Sequence, residues 1–235
     1  LNERIKSNDK NIIPFSTRKE QGYYYYDTNK ILSNGKSISI DVDDISLKGI
    51  HNISNIIIAA EIARRVGIDQ ENIFRAVREF EGLEHRFEHF ISYSGIDFIN
   101  DSKSTNIDSL KKALESISEK VVLIIGGIPK EDDFSDISLF KKSILKIIVY
   151  GEASHKIYNS LPKDIGVERI EKFEDAVQVA IDSAEVNSVV LLSPACASFD
   201  QFDNYKERGK KFKNIVERFY AWILKSKAKT EYYLY

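Results

Sequence analysis

From about residue 90 onward, short apolar runs alternate regularly with segments of helical spacing, and this pattern constrains the fold most. Val121–Ile125, Lys146–Tyr150, Gly166–Ile170 and Ser188–Ser193 have strand length, and helical patterns of about ten residues separate them. Buried strands separated by helices are typical of a parallel sheet with helices on both faces. The sequence therefore predicts an α/β fold with a mostly parallel sheet.

Three further elements are predicted around these strands. Phe90–Tyr93 and Ile96–Asn100 flank Ser94-Gly95, which is a hairpin signal. Phe134–Ser143 has helical spacing, and a last helix is predicted from about Asn204 to Leu224.

The first part of the chain has a different pattern. Residues 1–49 contain short β-like pieces, including Asn11–Phe15 and Gly22–Tyr26. Ile53–Val66 has a broad apolar helical face, and Asp69 is predicted to cap a second helix.

Gly35-Lys36-Ser37 matches the tail of a phosphate-binding P-loop. The full motif needs a glycine five residues earlier, where Lys30 stands, and a helix afterwards. Ser37–Val42 alternates like a strand instead, so Asn34-Gly35 is predicted to be a hairpin turn.

Composition excludes several classes of function. The net charge of -2 provides no basic field for nucleic acid. The apolar runs are far shorter than the roughly 20 residues of a membrane span, which predicts no membrane insertion. A single cysteine excludes an internal disulfide and suits a reducing compartment, so the cytoplasm is expected. The first residues lack the apolar region of a secretory signal, and the absence of methionine leads us to expect a fragment.

Polar loops follow three of the predicted strands. They are Asp101–Asn106, Gly126–Lys130 and Ser193–Phe202. Ligands of open α/β sheets bind beyond the carboxyl ends of the strands, so these loops predict a site for an anionic small molecule. Taken singly, a polar turn is the plainer explanation of the first loop, and a simple loop explains the second equally well. Cys196 lies in the third loop without a nearby histidine and is interpreted as a buried, inert thiol.

Two other residues, Arg86 and Asn55, can be explained either as ligand contacts or as ordinary structural residues. Arg86, after His85, has the side chain that proteins use to clamp phosphate or carboxylate, but it is equally explained as a surface residue paired with a neighbouring glutamate. Asn55 lies in the first turns of a predicted helix, where capping by Asn52 is the plainer explanation.

Longer strings carry a resemblance to a known family. Gly49–Asn55, Gly82–Glu88 and Phe98–Asn106 resemble successive blocks of the Mur ligases, in the same order. Leu191–Gln201 and Tyr205–Phe212 resemble the D-glutamate-adding branch of that family.

The resemblance implies ATP-dependent amide formation in peptidoglycan synthesis. ATP would phosphorylate the carboxylate of UDP-N-acetylmuramoyl-L-alanine, and the amine of D-glutamate would attack the acyl phosphate, with Mg²⁺ neutralising phosphate charge. It implies a Rossmann-like C-terminal domain over residues 85–235, preceded in residues 1–84 by an incomplete part of the central ATPase domain. The family's P-loop and metal ligands precede the segment that resembles Leu1, so the chain alone is expected to be an inactive monomer.

The resemblance also implies roles for single residues. ATP contacts are implied for Asn55, Arg86 and Asp101. Contacts to D-glutamate and the adjoining acyl group are implied for Lys103, Thr105, Lys130, Ser198, Phe199 and Tyr205. Tyr205 stands where the family usually has phenylalanine, and no metal ligand is expected in this chain. Two other hypotheses stay open: a non-catalytic module that binds D-glutamate or nucleotide, and an interaction protein whose loops are purely structural.

Overall fold

The computed structural model describes residues 24–27, 30–33, 39–45, 47, 50–130 and 133–232. The chain divides into two compact units, Leu1–Gly82 and Leu83–Tyr235. The assignment of residues 1–84 to an incomplete ATPase domain stays a prediction. The predicted strand at Asn11–Phe15 and the predicted turn at Asn34-Gly35 lie outside the described residues.

The first unit combines a small antiparallel sheet with two helices. Its elements are β1 (Tyr24–Asp27), β2 (Lys30–Ser33), β3 (Ser39–Asp41), α1 (Ile50–Arg65) and α2 (Gln70–Glu79). The strands pair in chain order. Shortly after Gly35-Lys36-Ser37 the chain forms β3, whereas a P-loop would lead into a helix. Asp69 accepts a hydrogen bond from the Asn72 N–H at 3.0 Å, which confirms the predicted cap of α2.

The second unit is a six-stranded sheet with helices on both faces. Its strands are β4 (Glu88–Tyr93), β5 (Ile96–Asn100), β6 (Lys120–Gly126), β7 (Ile144–Tyr150), β8 (Val167–Ile170) and β9 (Ser188–Ala195). Its helices are α3 (Ile107–Glu115), α4 (Ser154–Ser160), α5 (Phe173–Asp182) and α6 (Tyr205–Tyr232). The strand order is β4-β5-β9-β6-β7-β8, and all pairs are parallel except the β4–β5 hairpin. The predicted α/β fold with a mostly parallel sheet is confirmed.

Each face of this sheet carries its own hydrophobic core. Within β6, Leu123 packs with α3 and α4 on one face, and Ile124 packs with α5 and α6 on the other. Both side chains are fully buried, and each contributes about 1.5–3 kcal/mol relative to an exposed position. Burial on both faces explains why these strands are continuous apolar runs.

The path of the chain brings three loops together at one edge of the sheet. β5 leads through α3 to β6, and β9 later enters between β5 and β6. The loops that follow β5, β6 and β9 therefore meet at the carboxyl edge, where ligands of such sheets bind.

One predicted helix has a different form. Phe134–Ser143 was expected to be a helix of ordinary spacing, and the chain instead forms a 3₁₀ helix over Ser135–Phe140. Phe134 and Ile137 are both fully buried. Residues three apart share one side of a helix with three residues per turn, which explains the tighter winding. No helix among the described residues is long and apolar enough to cross a bilayer.

Candidate functional site

Asp101 directly follows β5 and is a buried carboxylate of the carboxyl edge. One of its oxygens accepts a hydrogen bond from the Phe87 N–H at 3.1 Å, and the other accepts from the Ser193 hydroxyl at 2.9 Å. Burial raises the pKa of Asp101 to about 6, while these two hydrogen bonds and the charge of nearby Arg86 oppose the rise. The carboxyl group is thus mainly ionised at neutral pH and can accept further hydrogen bonds.

Arg208, in the first turn of α6, is fully buried beneath the three loops. Its guanidinium donates to the carbonyl oxygens of Ser102 at 2.8 Å and of Cys196 at 3.1 Å. It also donates to the Ser102 hydroxyl at 3.0 Å and to the Tyr150 hydroxyl at 3.2 Å. These acceptors are uncharged and follow or end strands β5, β7 and β9. One side chain therefore fixes the relative positions of several strand ends.

A pair of glycines shapes the loop after β6. Gly127 has φ +123°, and a Cβ there would lie 2.1 Å from the carbonyl oxygen of Ala197. Ile128 and Ala197 exchange two backbone hydrogen bonds of 2.8 and 2.9 Å. The loop that carries Lys130 is thereby attached to the loop that carries Ser198.

Two contacts place cationic side chains over this edge. The Lys103 Nζ lies 4.0 Å from the ring centre of Tyr205, a cation–π contact. The Lys130 Nζ donates to the Thr105 hydroxyl at 3.3 Å, which joins the loops after β5 and β6. The two amines provide positive charge for an anionic ligand.

The loop after β9 supplies a polar and an aromatic residue side by side. Ser198 is buried, whereas the neighbouring Phe199 is 68 % exposed. The Ser198 carbonyl accepts from the Phe202 N–H at 2.9 Å, which folds the loop back towards α6. Cys196 is buried, as predicted, and its carbonyl oxygen contacts Arg208.

The predicted site residues thus divide into three groups. Asp101, Lys103, Thr105, Lys130, Ser198, Phe199 and Tyr205 all lie at the carboxyl edge of the six-stranded sheet. Arg86 precedes β4 and is exposed, and its charge acts on Asp101. Asn55 is an exposed residue of α1, in the first unit.

Sequence reasoning missed Arg208. The sequence does contain a signal for Arg208, namely its helical spacing. Arg208 precedes Phe212 and Val216 by four and eight residues, so it lies with them on the buried face of α6. An arginine in register with an apolar stripe is costly to bury without hydrogen-bond partners. Asn100 and Ser193 were also missed, since their partners are distant in sequence.

A second polar cluster lies where the second unit begins. His85 is buried, and its Nε2 lies 3.8 Å from a Glu84 oxygen, while its Nδ1 lies 3.9 Å from Glu88. Lys213 bridges the two carboxylates at 3.2 and 2.5 Å. Burial lowers the pKa of His85. The carboxylates approach different ring nitrogens and share the ammonium group of Lys213.

Known proteins match this chain over most of its length. Residues 85–196 match the family model described as Mur ligase, glutamate ligase domain. The chain is 41 % identical over 206 residues to UDP-N-acetylmuramoylalanine--D-glutamate ligase of Desulfitobacterium hafniense strain Y51, which covers 85 % of this chain and 45 % of that protein. It is 34 % identical over 210 residues to the ligase of the same name from Bacillus subtilis, covering 87 % and 46 %.

Solved structures share the fold at low identity. UDP-N-acetylmuramate-alanine ligase MurC of Thermotoga maritima superposes with a TM-score of 0.66 at 19 % identity, covering 87 % of this chain and 47 % of that one. MurF of Thermotoga maritima in complex with ADP gives 0.55 at 14 % identity, covering 83 % and 46 %. The chain spans about half the length, or less, of the curated relatives it matches. The resemblance seen in the sequence strings is confirmed.

Proposed function

We propose, from the premise that residues 85–196 of this chain belong to the Mur ligase glutamate ligase domain family, that the chain is the C-terminal part of an ATP-dependent ligase. The proposed reaction joins D-glutamate to UDP-N-acetylmuramoyl-L-alanine through an acyl phosphate. The observation that carries the proposal is the convergence of cationic and hydroxyl side chains from the loops after β5, β6 and β9. The curated relatives that the chain matches are named for the ligation of D-glutamate, which supports this reaction. The proposed setting is the cytoplasm, and the single reduced cysteine suits it.

Two of the residues proposed to contact the nucleotide, Asp101 and Arg86, lie in the second unit, and the third, Asn55, is proposed from the resemblance alone. Asp101 is ionised at neutral pH and offers acceptors for ribose hydroxyls. Arg86 is exposed beside it and can donate to phosphate oxygens in a bidentate manner. Asn55 has an amide group that can both donate to and accept from an adenine edge.

D-glutamate is assigned to the other predicted residues of these loops. Lys130 provides a positive charge for a carboxylate, and Thr105 and Ser198 provide hydroxyl groups. Lys103, held over the ring of Tyr205, faces the acyl group or the second carboxylate. Phe199 is exposed and can cover apolar surface of the bound amino acid.

The chemical role proposed for these residues is positioning and charge stabilisation. Fixed donors stabilise charge that develops on the acyl phosphate, and a fixed amine attacks at high effective concentration. Mg²⁺ would supply further neutralisation of phosphate charge. The resemblance implies no Mg²⁺ ligand in this chain, and Asp101 is proposed here only as a hydrogen-bond acceptor, beside its contacts with Phe87 and Ser193.

The first test is calorimetric titration of this chain with D-glutamate and, separately, with ATP–Mg²⁺. Lys130→Ala and Ser198→Ala are each expected to lower the affinity for D-glutamate at least tenfold, because each removes a proposed contact. Lys163→Ala is the matched control, since Lys163 is an exposed lysine that follows α4 and is absent from the proposed site.

The same variants are then measured in the protein extended upstream to the length of its relatives. Turnover there, with rates reduced by Lys130→Ala, supports the ligase. Binding without turnover in the extended protein favours the non-catalytic module. Absence of binding and turnover in both forms contradicts the proposal and favours purely structural loops.

A further inference from the structure

The loop that carries Asp101 and Lys103 is held at its start by a buried amide. Asn100 is fully buried at the end of β5. Its Oδ1 accepts from the Ser102 N–H at 3.3 Å. Its Nδ2 lies 2.9 Å from the His85 Nδ1, 3.1 Å from a Glu88 oxygen and 3.4 Å from the Gly209 carbonyl oxygen.

These neighbours determine which way the amide of Asn100 points. A rotated amide would place its oxygen against the carboxylate of Glu88 and the carbonyl of Gly209, and its NH₂ group against the Ser102 N–H. In the rotated amide, acceptors would therefore face acceptors and donors would face donors. The observed orientation instead pairs the donors of the amide with acceptors and its oxygen with a donor. The side chain of Asn100 therefore presents an N–H group to His85.

An N–H donor at this point dictates where the imidazole carries its proton. The Nδ1 of His85 must accept, so the proton of the neutral ring lies on Nε2. Among the described residues, that Nε2 is buried without a hydrogen-bond partner. Burial lowers the pKa of His85, which keeps the ring neutral at pH 7.5.

The backbone of His85 is also hydrogen-bonded to this loop and to Glu88. Its carbonyl oxygen accepts from the Lys103 N–H at 3.0 Å, and its N–H donates to Glu88 at 2.9 Å. His85 has φ +67°, a conformation that costs a residue other than glycine about 1 kcal/mol or more and persists where the surroundings impose it. Ring and backbone of one residue thus hold both ends of the turn from Asn100 to Lys103.

We infer that Asn100 is a positioning residue: its amide holds His85 as the Nε2–H tautomer and, through His85 and Ser102, sets the placement of Asp101 and Lys103. The expected effect on ligand binding rests on the proposed function, whereas the tautomer of His85 is a property of the chain alone. Asn100 itself is enclosed by His85, Glu88, Ser102 and Gly209, so it acts through the turn without touching a ligand.

The decisive experiment is ¹⁵N NMR of the histidine rings of this chain at pH 7.5. His85→Gln identifies the His85 signals among the four histidines. We expect Nδ1 of His85 to show the resonance of an unprotonated ring nitrogen and Nε2 that of a protonated one. An Nδ1–H tautomer or an imidazolium in the unmodified chain overturns the inference, whatever the variants do.

Asn100→Asp tests the cause. A carboxylate accepts where the amide donated, so Nδ1 of His85 should become protonated, by a change of tautomer or a raised pKa. Asn204→Asp is the matched control, because Asn204 caps α6 through its Oδ1, which a carboxylate reproduces. An unchanged His85 signal in folded Asn100→Asp overturns the inference.

Ligand affinity then separates the inference from the proposed function. Asn100→Ala removes all four contacts of the amide, and we expect D-glutamate and ATP–Mg²⁺ to bind about tenfold more weakly. If neither the unmodified chain nor the protein extended upstream binds or turns over these ligands, the proposed function fails, while the tautomer still decides the role of Asn100 towards His85. If ligands bind and folded Asn100→Ala binds them equally well, the positioning role is refuted.

Discussion

Both terminal nitrogens of Arg208 donate to the carbonyl oxygen of Cys196, at 3.2 and 3.1 Å. This forked contact joins the first turn of α6 to the loop after β9, at the point where β9 enters between β5 and β6. The carboxyl edge of a parallel sheet exposes carbonyl groups that have no further strand partner. Arg208 satisfies several of them while remaining fully buried.

Replacing Arg208 by methionine should strongly destabilise the second unit. Methionine fills much of the same space but leaves carbonyl oxygens of Ser102 and Cys196 without their donor. Each buried acceptor left unpaired costs about 1–3 kcal/mol, so we expect a loss of about 3 kcal/mol in the free energy of unfolding. Denaturant unfolding followed by fluorescence of Trp222, the single tryptophan, measures it.

Lys210→Met is the matched control for that measurement. Lys210 is exposed two residues later on the same helix, so its replacement should change the free energy of unfolding by less than about 0.5 kcal/mol. Equal stability of the two variants would show that the buried guanidinium contributes nothing to the fold.

The raised pKa of Asp101 predicts a pH-dependent cost to stability. In the folded state the carboxyl group of Asp101 keeps its proton up to about pH 6, whereas in the unfolded state it loses the proton near its ordinary pKa of 3.8. The folded state therefore binds more protons between these values, and its stability falls as the pH rises from 4 to 6, by on the order of 3 kcal/mol. Asp101→Asn should be more stable than the unmodified chain at pH 7.5 and should lose this advantage near pH 4.

Asp108→Asn provides the comparison for Asp101→Asn. The Asp108 side chain is 86 % exposed on α3, so its replacement should have a small effect at both pH values. If the unfolding free energies of Asp101→Asn and the unmodified chain keep a constant difference from pH 4 to 7.5, burial of this carboxylate has no energetic cost.

Several elements could be predicted from the sequence because their signals are local. The run Val121–Ile125 is apolar at every position, and it became the central strand β6. Ser94 and Gly95 have φ +52° and +76°, as the predicted hairpin turn requires. The cap of α2 at Asp69 follows from a single residue before a helical pattern.

The strand order and the polar network could not be predicted in this way. Nothing local places β9 between β5 and β6, since parallel pairing depends on residues about 70 to 90 positions apart. For the same reason, sequence reasoning located Asp101 but missed Arg208, whose hydrogen bonds cross 106 positions to Ser102. The last helix also extends beyond Leu224 to Tyr232, since no glycine or proline ends its pattern.

Gly127→Ala should disrupt the loop that carries Lys130. The new Cβ would lie 2.1 Å from the Ala197 carbonyl oxygen, and φ +123° is strained for alanine. We expect a loss of about 2 kcal/mol or more in the free energy of unfolding. D-glutamate affinity, if the proposed function holds, should fall with it, because the bridge between Ile128 and Ala197 joins the two loops.

Gly166→Ala is the matched control for Gly127→Ala. A Cβ at Gly166 meets its nearest atom at 3.7 Å, an ordinary contact, and its backbone needs no positive φ. Its stability should be unchanged or slightly higher. Equal tolerance of alanine at the two positions would contradict the close approach of the loops.

Gly209→Ala should destabilise the chain although alanine is the better helix former. In an unobstructed helix the change would gain about 1 kcal/mol. Here the new Cβ would lie 2.3 Å from the His85 Nδ1, and the ring cannot withdraw easily because Asn100 holds it. We expect a net loss of about 2 kcal/mol, measured by denaturant unfolding.

A double variant distinguishes this collision from a general effect on α6. His85→Ala removes the ring, so adding Gly209→Ala to His85→Ala should cost nothing or be favourable, with a coupling energy of about 1 kcal/mol or more. Glu217→Ala, at an exposed position of the same helix, should stay within about 0.5 kcal/mol of the unmodified chain. Additive effects of His85→Ala and Gly209→Ala would mean that the glycine is required for a reason other than the imidazole, and the close packing of α6 against His85 would then have to be abandoned as its explanation.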